Sequence, residues 1–237
     1  MREPEITFCT ERIIPPEYRQ LAIAHAIAEN AANASPFETA AERSKLWKPG
    51  RTLRVRFLDG TAEAHALVAR YARQWCDHAN IALDFGDHAQ AEIRIAFSEA
   101  SSWSAIGTDA LVAAYFPAHA PTMNFGWIEE AVVLHEFGHA LGLIHEHQSP
   151  AQAIQWDEAA VIAHLAGPPN FWSEERTRAN VFERYAVAQT QFSAFDSSSI
   201  MLYYFPPQFT RNGQVFTQNK TLSEQDRRFI AACYPKA

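Results

Sequence analysis

The spacing of apolar residues along this chain changes period several times, and each change marks an element. From Leu53 to Leu58, Leu53, Val55 and Phe57 alternate with Arg54 and Arg56, the period-two pattern of a half-exposed strand. Asp59-Gly60 turns the chain. Between Ala62 and Asn80 the apolar residues Leu67, Val68, Tyr71, Trp75 and Ala79 fall along one face of a helix. Ile81–Phe85 and Ile93–Phe97 read as short strands. Ser98 to His119 is a long, mostly polar connection, expected to line a cleft or a structural site. Upstream, the alanine-rich stretch Glu17 to Asn33 follows Pro15-Pro16 and stops before Ser35-Pro36, as a helix started by prolines would. Downstream, Trp156–Leu165 and Ser173–Arg184 read as helices separated by Gly167-Pro168-Pro169. A last helix spans Ser223–Cys233, with the Ser223 hydroxyl as cap and Asp226 three residues on.

With 237 residues the chain makes one sizeable domain or two small ones. A net charge of −7 leaves no basic footprint, which excludes nucleic acid as a partner. No apolar run approaches the roughly 20 residues that span a bilayer. Met1-Arg2-Glu3-Pro4-Glu5 is charged and no apolar stretch follows, so no secretory leader is expected at this amino terminus. Cys9, Cys76 and Cys233 are far apart and form no C-x-x-C pattern, which argues against a disulfide framework.

The densest chemistry lies in His135-Glu136-Phe137-Gly138-His139-Ala140-Leu141-Gly142-Leu143-Ile144-His145. Trp127, Ile128, Val132, Val133, Leu134 and Leu141 give this segment an apolar, helix-compatible surround. His135 and His139 sit one turn apart on the same helical face. Gly142 falls where that helix must stop, and glycine takes the left-handed conformation that ends it. The turn lets His145 approach from another direction. Three neutral imidazoles and a water satisfy one catalytic zinc ion, leaving an exchangeable position. Glu136, about 100° around the helix from His135, is placed to take a proton from that water and deliver it to a leaving amine. At a generous ~5% frequency per residue, five fixed positions arise by chance in roughly one such chain in ten thousand.

With these residues the chain resembles the metzincin zinc endopeptidases, whose long motif is H-E-x-x-H-x-x-G-x-x-H followed downstream by a methionine turn. Ser198-Ser199-Ile200-Met201-Leu202-Tyr203 resembles the S-I-M-x-Y turn of the astacin group. The resemblance implies His135, His139 and His145 as zinc ligands, Glu136 as general base, and Met201 in the structural turn. It implies Tyr203 as a phenol near the metal that stabilises the oxyanion, against the plainer reading of a packed aromatic. The fold implied is α+β and zincin-like. A twisted mixed sheet and helices would lie above an active-site cleft, over a mostly irregular lower subdomain ending in a helix. Arg54–Gly60 and Ala91–Phe97 resemble inner strands of that sheet, with Ser102–Asp109 as the loop after the second. Thr122–Gly126 resembles the edge strand that pairs with extended substrate, which makes Asn124 a substrate-binding candidate. After His145 the chain reads Glu146-His147-Gln148-Ser149-Pro150 and departs from the astacin pattern H-E-x-x-R-x-D-R-D. Glu146 is shared, in the place where astacins receive the amino terminus of the mature enzyme.

The reading divides the chain into an N-terminal helical segment, 1–45, and a catalytic domain, 46–237. The segment reads first as a helix packed on the domain and second as a pro-segment. Cys9 reads as a buried structural cysteine, and the alternative of a thiolate blocking the zinc rests only on soft affinity. Asp84, Asp87 and Asp109 lack the tight oxygen-ligand spacing of a calcium site. Phe192, Phe195 and Phe205 are expected to pack around the methionine turn. The function expected is zinc-dependent endopeptidase acting on proteins or peptides, and the resemblance favours an extracellular setting. Two alternatives stand beside it, a zinc-binding peptide-interaction protein without turnover and a zinc hydrolase of a small amide or ester.

Overall fold

The computed structural model describes residue 9 and residues 12–33, 45–168, 170–184 and 194–236. Ser35-Pro36, Pro169 and Phe192, named above, lie outside them. The upper part is a five-stranded sheet in the order β2-β1-β3-β5-β4. Strands β1 (Arg51–Phe57), β2 (Ile81–Phe85), β3 (Ile93–Ala96) and β5 (Met123–Asn124) run parallel, and β4 (Trp103–Ser104) is antiparallel to β5. Leu53 and Val55 of β1 are fully buried, as the alternation with arginine requires. The outward arginines have a partner. Arg54 donates to the buried carboxylate of Glu92 from its backbone N–H at 2.9 Å and from its guanidinium at 2.6 and 3.1 Å, and Arg51 adds a contact of 3.0 Å.

Helix α2 (Ala62–Ala72) starts at Thr61, whose hydroxyl accepts from Ala64 N, and tightens into a 3-10 stretch, Arg73–Asp77. Val68 and Trp75 are fully buried, whereas Leu67 is exposed, so the apolar face is narrower than its sequence suggests. Helix α3 (Glu130–Ala140) packs against α2, with Ala131 through Ala140 all buried. A helix apolar on every side belongs in a core. The Trp75 indole donates to Leu134 O at 2.9 Å. At the C-terminal end of α3, where carbonyls lose their helical donors, the Trp47 indole donates to Ala140 O at 2.8 Å and the Tyr234 hydroxyl to Leu141 O at 2.6 Å.

One expectation is corrected here. Thr122–Gly126 does not form an edge strand: β5 is paired with β3 on one side and β4 on the other, and the sheet ends at β4. Asn124 is fully buried, its amide bonded to Ser98 N, Glu99 N, Glu99 O and Ser101 O. In the connection from Ser98 to His119, Ser102 through Ala110 are buried. Two of its polar side chains find partners inside the protein, Asp109 on Lys45 at 2.6 Å and Ser102 Oγ on Gly126 N.

The lower part holds α4 (Glu158–Leu165), capped by Asp157, α5 (Glu174–Thr177), capped by Ser173, and α6 (Glu224–Cys233). The stretch expected as one helix from Ser173 to Arg184 instead widens after Thr177 into a π turn, Arg178–Phe182. Phe205 is fully buried and Phe195 half-buried, both against Phe216. In the N-terminal segment α1 (Arg19–Glu29) packs on the 3-10 turn Gly107–Leu111. Asn33 ties the end of this segment down by donating to Ala26 O and Leu46 O. No helix among the described residues is long and apolar enough to cross a membrane.

Candidate metal centre

Helix α3 carries His135 and His139 on one face, and Gly142, at φ 92°, turns the chain so that His145 returns to them. The turn demands glycine twice over: that φ is strained for other residues, and a Cβ would meet Leu46 and the Lys45 carbonyl at 3.0–3.1 Å. The three Nε2 atoms converge, with His139 Nε2 3.2 Å from that of His135 and 3.0 Å from that of His145. Tetrahedral ligands at about 2.0–2.1 Å from one zinc ion stand roughly 3.3 Å apart, so the spacing suits the metal.

Each ring is aimed from behind. His135 Nδ1 bonds Ile200 O at 2.8 Å, His139 Nδ1 bonds Leu143 O at 2.9 Å, and His145 Nδ1 bonds Gln148 Oε1 at 3.1 Å. An acceptor at every Nδ1 fixes the proton there and turns each Nε2 lone pair toward the common centre. Burial, helped by the charge of His135 and opposed by the bond to Gln148, holds His145 well below the ordinary imidazole value, in the neutral form a metal requires. Among the described residues these three histidines are the group of His, Cys, Asp and Glu side chains close enough to hold one ion. Asp84, Asp87 and Asp109 do not converge; they face His88, Arg56 and Lys45 in turn.

Gln148 belongs to a relay. Its amide donates to Ala179 O at 2.9 Å while its oxygen receives His145, and neighbouring His147 bonds Asn180 O at 2.9 Å. Both acceptors belong to the π turn, where carbonyls are diverted from helical partners. Sequence reading missed Gln148, although its position three residues after His145 was a usable signal.

Met201 lies under α3. A Cβ on Gly138 would stand 2.3 Å from Met201 Sδ, so the sulfur fills the place where any larger residue before His139 would project. The turn around it is held by Asp226, which accepts from Ser199 Oγ at 2.7 Å and Ile200 N at 2.8 Å. Asp226 was legible as part of the α6 cap; this longer reach was not. Tyr203 is buried, its ring centroid 4.3 Å from that of His145 and 5.6 Å from that of His135.

Glu136 is fully buried beside the triad, and Cys9 faces it. Burial first, then the charge of Glu136 and a hydrogen bond to it, push the Cys9 thiol well above its ordinary value. The Tyr203 hydroxyl donates to Cys9 O at 2.5 Å. Cys9 is buried, as expected, but what buries it is the site. Three residues on, the Arg12 guanidinium lies 4.2 Å above the Trp103 ring and 2.8 Å from the Glu99 carboxylate. Glu146 accepts from Asp196 N, and burial, with Asp226 and Asp196 nearby, raises its carboxyl to about 7. Asn124 lies in the sheet interior and is not part of this constellation.

The family model described as Astacin, a family of peptidases, matches residues 39–231. A solved structure described as "Structure of myroilysin" is 40% identical, covers 81% of this chain and 97% of its own, and superposes with a TM-score of 0.78. A second, "Crystal structure of myroilysin", is 36% identical, covers 97% of this chain and 100% of its own, with a TM-score of 0.62. High choriolytic enzyme 1, a hatching enzyme zinc-protease from Oryzias latipes (medaka fish), shares the fold at 16% identity, 85% and 98% coverage and a TM-score of 0.56. No curated protein sequence matches.

Proposed function

Since the chain belongs to the astacin family of zinc endopeptidases, we propose that His135, His139 and His145 hold its zinc, that Glu136 is the general base and that Tyr203 stabilises the transition state. The protein is a zinc metalloendopeptidase, and its substrates are proteins or peptides; family membership favours neither alternative raised above. The observation that carries the residue assignment is the convergence of three Nε2 atoms, each ring fixed through Nδ1. When bound, zinc polarises the scissile carbonyl and brings the pKa of a water to about 7. Glu136 takes the proton of the attacking water on its carboxylate and hands it to the leaving amine. Its full burial strengthens that exchange by excluding bulk solvent. Tyr203 directs its O–H at the carbonyl oxygen as negative charge builds there. Met201 fixes the floor beneath the ligand helix.

The N-terminal segment is read as a latch on this machinery. In support, the Cys9 carbonyl accepts from the Tyr203 hydroxyl, and the buried Cys9 thiol lies near enough to the carboxylate needed as base for that charge to raise it. Both groups needed for turnover are thereby occupied by the chain's own segment. The tests use the full-length protein. Cys9→Ala should raise casein hydrolysis at least about tenfold over the unaltered chain. In that background Glu136→Gln should retain one zinc per chain by elemental analysis while losing about 10²–10⁴ in rate. Full activity of the Glu136→Gln protein would sink the base assignment, and no gain from Cys9→Ala would sink the latch.

A further inference from the structure

The residue that follows the latch by three positions occupies a site of its own. Arg12 stacks on Trp103 and pairs with Glu99, and Trp103 Nε1 donates to the same Glu99 Oε2 at 3.0 Å. The indole therefore supplies a face for the guanidinium and also fixes the carboxylate that binds it. Trp103 is buried at 3% exposure and belongs to β4, the last strand of the sheet. Glu99 is held from its backbone. Asn124 Oδ1 accepts from Ser98 N and Glu99 N at 3.1 and 3.2 Å, and its amide donates to Glu99 O and Ser101 O at 3.1 and 2.6 Å. Four bonds from one buried side chain thus fix the loop that presents a carboxylate beside a ring. Arg12 thus lies at the sheet margin, three residues after the Cys9 whose thiol feels the charge of Glu136.

We propose that Glu99 and Trp103 form a substrate subsite selective for arginine, filled by Arg12 in the latched chain and by a substrate side chain once the segment leaves. The proposal rests on the latch reading, because it takes the places of Cys9 and Arg12 as places that a bound substrate would occupy. The chemistry is specific. A planar cation gains from both the ring face and the fixed carboxylate, whereas a neutral side chain of equal length gains only contact area. A glutamate there meets Glu99 and is rejected.

The test uses the full-length Cys9→Ala/Arg12→Ala double variant, in which both plugs are removed. Internally quenched peptides of neutral sequence carry one arginine, norleucine or glutamate moved stepwise along the chain. At one position relative to the cut, arginine should exceed norleucine about tenfold in kcat/KM, with glutamate below both. Glu99→Gln in that background should bring the arginine-to-norleucine ratio within about twofold, and Glu99→Lys should place glutamate above arginine. Equal cleavage of arginine and norleucine peptides at every position would overturn the subsite. Anisotropy titration of the same labelled peptides gives a readout independent of turnover. The best arginine peptide should bind about tenfold more tightly than its norleucine counterpart, and equal Kd values would likewise overturn the proposal. A double variant no more active on casein than the unaltered chain counts against the latch, while the affinity ratio still decides the subsite.

Discussion

Asp226 Oδ2 accepts a hydrogen bond from Ile200 N at 2.8 Å, and by that bond the last helix holds the peptide that aims the His135 ring. The Ile200 carbonyl receives His135 Nδ1 at 2.8 Å. Asp226 also closes the α6 capping box through Ser223 N at 2.9 Å. Helix start, methionine turn and imidazole orientation therefore share one carboxylate. Asp226→Ala should lower zinc affinity about 10–100-fold and stability by about 1–3 kcal/mol. Ser223→Ala, which spares the bond to Ile200, should cost the cap, about 0.5–2 kcal/mol, together with the bond from its hydroxyl to Asp196. Chelator competition and thermal melting of the two variants separate these effects. Equal zinc affinities would contradict the linkage.

Gln148 tests the same logic on the third ligand. Gln148→Met keeps the volume but removes both the acceptor for His145 and the donor to Ala179 O. Zinc affinity should fall about 10–100-fold. Gln148→Glu keeps an acceptor and should lie between the two. Competition against a zinc-binding dye gives the order directly.

Gly138 and Met201 should be energetically coupled. A Cβ at Gly138 would meet Met201 Sδ at 2.3 Å, so Gly138→Ala should cost about 1–3 kcal/mol by overpacking. In the Met201→Ala background the added methyl enters space the sulfur has left. The double variant should therefore be more stable than the sum of the single losses predicts. A urea-unfolding cycle that came out additive would show that the contact is relieved elsewhere.

Glu92 should set part of the acid limit of stability. Burial alone would raise its carboxyl, but the side chain and backbone N–H of Arg54 hold it below the usual glutamate value. For a carboxyl depressed in the folded state, the stabilisation is present above the unfolded pKa and is lost as pH falls through the folded value. Melting temperature should thus drop as pH is lowered from about 6 to about 3. Glu92→Gln should start lower at the upper end and show a shallower decline. An unchanged slope would assign the acid sensitivity to other groups.

The sequence made the centre of this molecule readable and left its margins obscure. His135, His139 and Gly142 are fixed by local helical geometry, which spacing reports directly. The larger strands and helices announced themselves by period. The misplaced edge has a plain cause: β5 is two residues long, carries no periodicity, and its neighbours are chosen by long-range pairing. The burial of Ser102–Asp109 was not announced by its polar composition, and the bonds of Ser102 to Gly126 and of Asp109 to Lys45 are ones that only the fold reveals. The π turn at Arg178–Phe182 follows from carbonyls drawn to Gln148 and His147, partners some thirty residues away. Cys9 lacked a surrounding motif, so nothing local distinguished a core thiol from one delivered to Glu136.

The sheet finishes at β4, which is only two residues long. Open strand margins are a hazard because their unpaired peptide groups recruit strands from neighbouring molecules. A margin of two residues offers too few rungs for such a ladder to grow. Departure of the N-terminal segment would bare the Trp103 ring without baring a template for intermolecular sheet extension. On that side of the sheet the unlatched chain would offer its copies no ladder to extend.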